Sequence, residues 1–200
     1  LKTDFSWYPN LSNTLKSGIE LSNFHSNPGN VHFSDDETQK SAPLIPEYNS
    51  LGLSVYFSND QVIREKLSLK YGLRLSSWRN LGPATVYFYD AAYEVADTIE
   101  VDKGSYFSPY FNLEPRISLA WAPGSAITFT AGYCRTAQYL QMLSNSTSPF
   151  TSLEVWAPSG PNIKPQQADQ YTLGLLTKTG KSGISFTAET FYKSFHNQID

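Results

Sequence analysis

The stretch from Leu67 to Ser76 alternates without a lapse. Leu67, Leu69, Tyr71, Leu73 and Leu75 fall on one parity, and Ser68, Lys70, Gly72, Arg74 and Ser76 on the other. A helix would spread those apolar side chains around its axis, whereas a strand sends them all to one face. The same period of two groups Leu1, Thr3, Phe5 and Trp7; Leu15, Ser17, Ile19 and Leu21; and Leu51, Leu53, Val55 and Phe57. It returns in Phe111, Leu113, Ile117, Leu119 and Trp121 and in Ile127, Phe129, Ala131 and Tyr133. Two further segments centre on Tyr171, Leu173 and Leu175 and on Ile184, Phe186, Ala188 and Tyr192. The pattern predicts roughly eight strands and no helix.

The connections carry a second regularity. Pro9 to Asn13, Ser58 to Val62 with its Asn59-Asp60 pair, Ala122 to Ser125 and Thr177 to Gly183 are short and rich in turn formers. Asn23 to Glu47, Ser77 to Phe107 and Gln141 to Ala168 are long. Long connections without structure of their own are uncommon in a compact soluble domain. A strict alternation of short and long is what an up-and-down barrel in an outer membrane produces, with short periplasmic turns and long external loops.

Periodicity alone does not separate such a barrel from a soluble sandwich, because both bury one face of each strand. The residues on the other face do. Lys66, Lys70, Arg74, Glu114, Arg116 and Glu189 suit a wet lumen and would be costly inside a sealed core. Trp121 closes one strand, Tyr133 stands about seven residues up the next, and Arg135 lies just beyond on the same parity. These three are expected at the membrane interfaces, Trp121 and Tyr133 in girdles roughly 25 Å apart and Arg135 among headgroups, within reach of lipid phosphate. Phe191, Phe195 and Leu176 fall on the lumen parity instead, against the pattern.

Composition narrows the chemistry. Charged residues make up only 16% of the chain, and the net charge is -3 with no basic run, which argues against nucleic acid. Cys134 is the only cysteine; this removes disulfide frameworks and thiolate-pair zinc sites and leaves an inert strand thiol. His25, His32 and His196 form no HExxH pattern, and Asp35, Asp36 and Glu37 lack the spacing of a calcium loop. Thr179 to Gly183 imitates the end of a phosphate loop, but Leu175 stands where its first glycine belongs. No G-x-S-x-G elbow occurs, and Glu114 and Glu189 read as charge partners between strands rather than a glycosidase pair. We expect no enzyme, no metal and no cofactor. The chain opens at Leu1 without a signal stretch, which leaves a cytosolic protein or one whose N-terminal part has been removed.

Three runs carry a family resemblance: EPRISLAW (Glu114 to Trp121), RTAQYLQML (Arg135 to Leu143) and LEVWAPSGPNIKPQQADQYTLGL (Leu153 to Leu175). With ETFYKSFHNQI (Glu189 to Ile199) and LKSGIELSNFHSNPG (Leu15 to Gly29), they resemble the barrel of TonB-dependent outer-membrane receptors, the Trp156 to Gln170 loop being the specific part. The resemblance implies an N-terminal plug inside a barrel of about 22 strands. It also implies energised import of a ferric siderophore, corrinoid, haem or oligosaccharide, located in the outer membrane of a Gram-negative bacterium. The implied partners are outer-membrane lipid, TonB acting through the missing plug, a small-molecule or glycan ligand, and a surface lipoprotein cap. On this reading residues 1–200 are a partial all-β transmembrane barrel of about eight antiparallel strands, lacking plug, signal peptide and remaining strands.

Loop aromatics are the natural ligand contacts, since flat rings stack on sugars or chelate aromatics with little entropy lost. The candidates are Trp78, Tyr87, Tyr89, Tyr93 and Trp156, with Asn162 and Lys164 in the PNIKPQQ stretch; packing of the loops on one another is the competing role for all of them. Lys70, Arg74, Glu114, Arg116 and Glu189 are expected to line the lumen. Two other readings stand beside the receptor: a complete eight-stranded membrane barrel with a structural or adhesion role, and a soluble all-β carbohydrate-binding domain.

Overall fold

The computed structural model describes residues 1–27, 47–144, 154–178 and 183–199. Twelve strands run through them: β1 (Lys2–Asn10), β2 (Asn13–Ser26), β3 (Tyr48–Ile63), β4 (Leu67–Leu81), β5 (Ala84–Tyr89), β6 (Val95–Val101), β7 (Tyr106–Trp121), β8 (Ile127–Gln138), β9 (Leu140–Ser144), β10 (Glu154–Pro158), β11 (Gln166–Lys178) and β12 (Ser185–His196). Eight of them form one antiparallel sheet in the order β1-β2-β3-β4-β7-β8-β11-β12, while β5-β6 and β9-β10 are separate hairpins inside two of the long connections. The sheet is open among the described residues, because β1 and β12 do not pair with each other.

Among the described residues the apolar parity meets no second sheet. Leu73, Ile127 and Phe129 remain 46%, 40% and 43% exposed on the convex face. A soluble sandwich would bury these side chains between two sheets, so that reading is overturned. A closed eight-stranded barrel would join β1 to β12, and that reading falls as well.

The apolar band also runs obliquely to the strand ladder. One row of directly opposed residues crosses the whole sheet through Trp7, Leu15, Asn59, Tyr71, Ile117, Tyr133, Tyr171 and Tyr192. On β1 this row marks the bottom of the apolar side chains, near the short turn at Leu11 and Ser12; on β12 it marks the top, with Ile184 eight residues lower (192 − 184). Eight residues are about 27 Å along a strand and seven strand steps about 34 Å across, so a level band requires strands tilted by roughly 40°. That is the tilt of strands in membrane barrels. Measured along the membrane normal, the band from Ile184 to Tyr192 is then about 21 Å tall, near the roughly 25 Å of an outer-membrane wall.

Some expectations shift with the register. Trp121 lies opposite Phe129, their rings 5.8 Å apart, so Tyr133 is four residues above Trp121 rather than seven. Four residues span about 14 Å, too little to separate two girdles. The chain also runs straight through Asn59 and Asp60 and turns at Arg64–Lys66, where Arg64 and Glu65 have φ of 50° and 59°. Cross-strand bonds outcompete the local turn preference. The Asn59 amide donates to Asn13 Oδ1 at 2.9 Å and Tyr71 Oη at 3.1 Å, and Asp60 sits between Lys16 at 3.6 Å and Lys70 at 3.5 Å. His32, Asp35, Asp36, Glu37 and most of the Thr179 to Gly183 turn lie outside the described residues.

Candidate functional site

The polar parity of the eight-stranded sheet faces its concave side and carries alternating charge. Lys16 and Lys70 flank Asp60, and Arg74 stands between Glu20 at 3.2 Å and Glu114 at 3.9 Å, with Arg116 4.0 Å from Glu114. Of these, Asp60, Lys70, Arg74, Glu114 and Arg116 border a concavity of about 590 Å³, together with Tyr56, Cys134 and Gln170. The part-exposed pairs around Asp60 and Glu20 are worth about 0–1 kcal/mol each and serve a wet, charge-bearing wall more than stability, whereas Glu114 is 5% exposed and also accepts from Ser76 Oγ at 2.6 Å. Glycines leave the wall room: a Cβ on Gly18 would lie 2.3 Å from the Tyr56 hydroxyl, which instead reaches the Asp4 carboxylate.

Lys70, Arg74, Glu114 and Arg116 gather on β4 and β7. Glu189 does not join them. It lies opposite Gly174, which lies opposite Thr130 and, through it, Ala120, so it is three strands and six residues of register away from Glu114 (120 − 114). Carboxylates so placed are about 20 Å or more apart, beyond the roughly 5–9.5 Å of a glycosidase pair.

Above this wall, at the long-loop end, the chain folds back onto the concave face. Trp78 is 5% exposed and stacks on Tyr139, with centroids 5.3 Å apart and planes within 4°. The Trp78 Nε1 donates to Asn80 Oδ1 at 3.3 Å, and the Phe24 ring lies tilted beside it with centroids 6.5 Å apart. The Tyr139 hydroxyl lies 2.8 Å from Ser76 Oγ and accepts from Asn112 Nδ2 at 2.7 Å. Burial pushes the Tyr139 phenol above its ordinary range, more than these hydrogen bonds pull it down, so it stays neutral.

The segment after β10 is held to the same wall through its backbone. Asn80 Nδ2 donates to the Ser159 carbonyl at 2.8 Å, the Tyr110 hydroxyl to the Gly160 carbonyl at 2.8 Å, and Gln141 Nε2 to the Lys164 carbonyl at 2.8 Å. Ser159 N donates to Tyr139 O at 2.7 Å, and a tight turn pairs Gly160 with Ile163. Ala157 and Ser159 are 1% and 0% exposed, as deep as any described residue. The WAPSGPNIKP run thus packs as an inward clamp on the concave face at the long-loop end. Asn80, Tyr110 and Tyr139 were missed in the sequence, because nothing local marks residues that meet partners 50 to 79 positions away.

The aromatic candidates separate into two groups. Trp78 belongs to the clamp, buried under Tyr139, and presents no open platform. Tyr87, Tyr89 and Tyr93 stand 45%, 51% and 89% exposed on the β5-β6 hairpin, and Trp156 is 48% exposed on β10. Asn162 ties the two regions together, its Nδ2 donating to the Tyr87 carbonyl at 2.9 Å, while Lys164 is exposed beside it. Phe191 and Phe195 keep the concave parity on the edge strand, Phe195 beneath Lys193 Nζ at 4.7 Å. No group of three or more His, Cys, Asp or Glu suited to a metal occurs among the described residues.

On the convex face, Tyr133 and Tyr171 are 5.0 Å apart and Tyr171 and Tyr192 6.4 Å apart, a row of rings across β8, β11 and β12. Arg135 stands one step above it. Its guanidinium is engaged by Asp169 on the neighbouring strand, with Nε to Oδ1 at 2.8 Å and Nη2 to Oδ2 at 2.9 Å.

The chain matches the family model described as "TonB dependent receptor-like, beta-barrel" over residues 2–200. No curated protein matches it in sequence. Among solved structures it is similar to the FrpB iron transporter from Neisseria meningitidis (F3-3 variant), at TM-score 0.60 and 14% identity, covering 96% of this chain and 27% of that one. It is also similar to the Serratia marcescens hemophore receptor HasR, solved with its hemophore HasA and heme, at TM-score 0.53 and 12% identity, covering 97% of this chain and 32% of that one. At such identities the likeness is one of fold, and the chain spans about a quarter to a third of each neighbour's length. The slanted apolar band, the charged concave wall and the full-length family match have one common meaning: this chain belongs to the TonB-dependent receptor β-barrel family.

Proposed function

We propose that this chain forms part of the wall of an outer-membrane receptor in a Gram-negative bacterium, one that imports an iron chelate or haem with energy delivered by TonB. The observation that carries the reading is the pairing of a lipid-facing band with a charged, water-accessible concave wall beneath an inward-folded mouth. Such a wall lets a polar cargo pass a hydrocarbon layer without meeting it. The cargo class takes its support from the neighbouring folds, one named as an iron transporter and the other as a hemophore receptor. Catalysis has no part in this reading.

Uptake by the complete receptor tests the proposal. In an iron-starved host lacking its own receptors, we expect it to restore growth on a ferric chelate or haem, and the rescue to vanish when TonB is deleted. Growth that persists without TonB would contradict energised import. Rescue by corrinoid or oligosaccharide alone would contradict the cargo.

A further inference from the structure

Asp169 is the one charged side chain on the convex parity of β11, and it is only 6% exposed. Donors surround it. Oδ1 accepts from the Tyr133 hydroxyl at 2.7 Å and from Arg135 Nε at 2.8 Å; Oδ2 accepts from Arg135 Nη2 at 2.9 Å and lies 3.5 Å from His196 Nε2. The carboxylate is thereby covered, while the side chains of Arg135 and His196 stay 41% and 55% exposed. A guanidinium has five N–H donors, and Asp169 takes two of them. The rest are free to face outward.

The position of the cluster decides what they face. On β8, β11 and β12 the apolar band ends at the row Tyr133, Tyr171, Tyr192, and Arg135 and Asp169 are the next outward step. That step is the headgroup layer at the long-loop end, where the available chemistry is phosphate and water. A pair kept only for stability has little reason to stand there, since withdrawing the Asp169 carboxylate from water offsets much of what the pair gains and an apolar pair would suit the adjoining hydrocarbon. A guanidinium held in a fixed plane is instead suited to a phosphate, which it binds through two parallel hydrogen bonds.

We propose that Arg135 and His196, oriented by Asp169 and Tyr133, form a binding site for the phosphate of an outer-leaflet lipid headgroup on the convex face of β8, β11 and β12. The inference rests on the sheet being a membrane wall with its long loops outside.

The test uses the complete receptor in nanodiscs of dioleoyl phosphatidylcholine containing a minor share of dioleoyl phosphatidic acid, with native mass spectrometry counting retained lipids. Wild type is expected to retain phosphatidic acid over phosphatidylcholine. Arg135→Gln combined with Asp169→Asn, which keeps shape and leaves no unpaired charge, is expected to lose that preference about tenfold, the worth of one charge-assisted bond. His196→Gln, which leaves the Arg135–Asp169 pair intact, is expected to lose about threefold. Equal retention by wild type and both variants would overturn the site. Displacement of the phosphatidic acid by inorganic phosphate would overturn the lipid assignment in favour of a free anion. If neither lipid stays with any variant or with wild type, the membrane reading itself fails, which is a different result from a wall that holds lipid without preference.

Discussion

Replacing Leu173 by arginine in the complete receptor will lower its folding stability in lipid vesicles by about 2–4 kcal/mol, whereas the same change at Thr172 will cost less than about 1 kcal/mol. The two residues are neighbours in sequence, and their propensities for strand differ little. Leu173 is 62% exposed on the convex face, between the Tyr171 row and the short-turn end, so an arginine there must enter hydrocarbon. Thr172 borders the 590 Å³ concavity beside Arg116 and Gln170, where a cation meets water. Urea unfolding in vesicles reads the difference. Equal costs at both positions would mean that the two faces share one solvent.

Trp78→Ala will release the clamp on the concave face while leaving the eight-stranded wall intact. Removing a buried tryptophan typically costs about 3–5 kcal/mol, and here the loss falls on a segment that the sheet does not need. Tyr139 loses its stacking partner and Asn80 a hydrogen bond, and Asn80 holds the Ser159 carbonyl in turn. The amides of Ser159, Gly160 and Ile163, all hydrogen-bonded in the clamp, should exchange with deuterium more than about a hundredfold faster, the equivalent of about 3 kcal/mol of local opening. Trp156→Ala, at a half-exposed position, should leave those amides within about threefold of wild type. Unchanged exchange in Trp78→Ala would show that the stack does not hold the segment.

The sheet was readable in the sequence because its two faces meet different solvents, and a period of two records that contrast directly. Leu67 to Leu75 and Phe111 to Trp121 fall in strands where the alternation puts them. Asn59-Asp60 has turn-forming side chains but does not turn, because those side chains are better satisfied by neighbouring strands. The β5-β6 hairpin is hidden within a long connection in the sequence, since its aromatics occupy both parities and blur the contrast: Phe88 on one face, Tyr87 and Tyr89 on the other. Spacing between girdles also failed, since height in a tilted sheet depends on which strand is counted from as well as on residue number.

The sites were less readable than the wall. Residue type alone leaves Trp78 open to ligand contact or loop packing, and the packing it shows depends on Tyr139, 61 positions away (139 − 78), so only folding brings the two together. The Asp169 cluster did leave a trace. Tyr171, Leu173 and Leu175 continue upward into a carboxylate, and Ile127, Phe129, Ala131 and Tyr133 continue upward into Arg135, so opposite charges interrupt two apolar parities at the same height.

Spin-label accessibility along β11 tests the central claim most directly. In the complete receptor carrying Cys134→Ala, nitroxides at positions 170, 171, 172, 173 and 175 would be read in bilayers against dissolved oxygen, which enters lipid, and a nickel chelate, which stays in water. We predict that oxygen dominates at 171, 173 and 175 and nickel at 170 and 172. Labels at 173 and 175 that neither agent reaches would mean protein covers the convex face, and the membrane-wall account would be wrong.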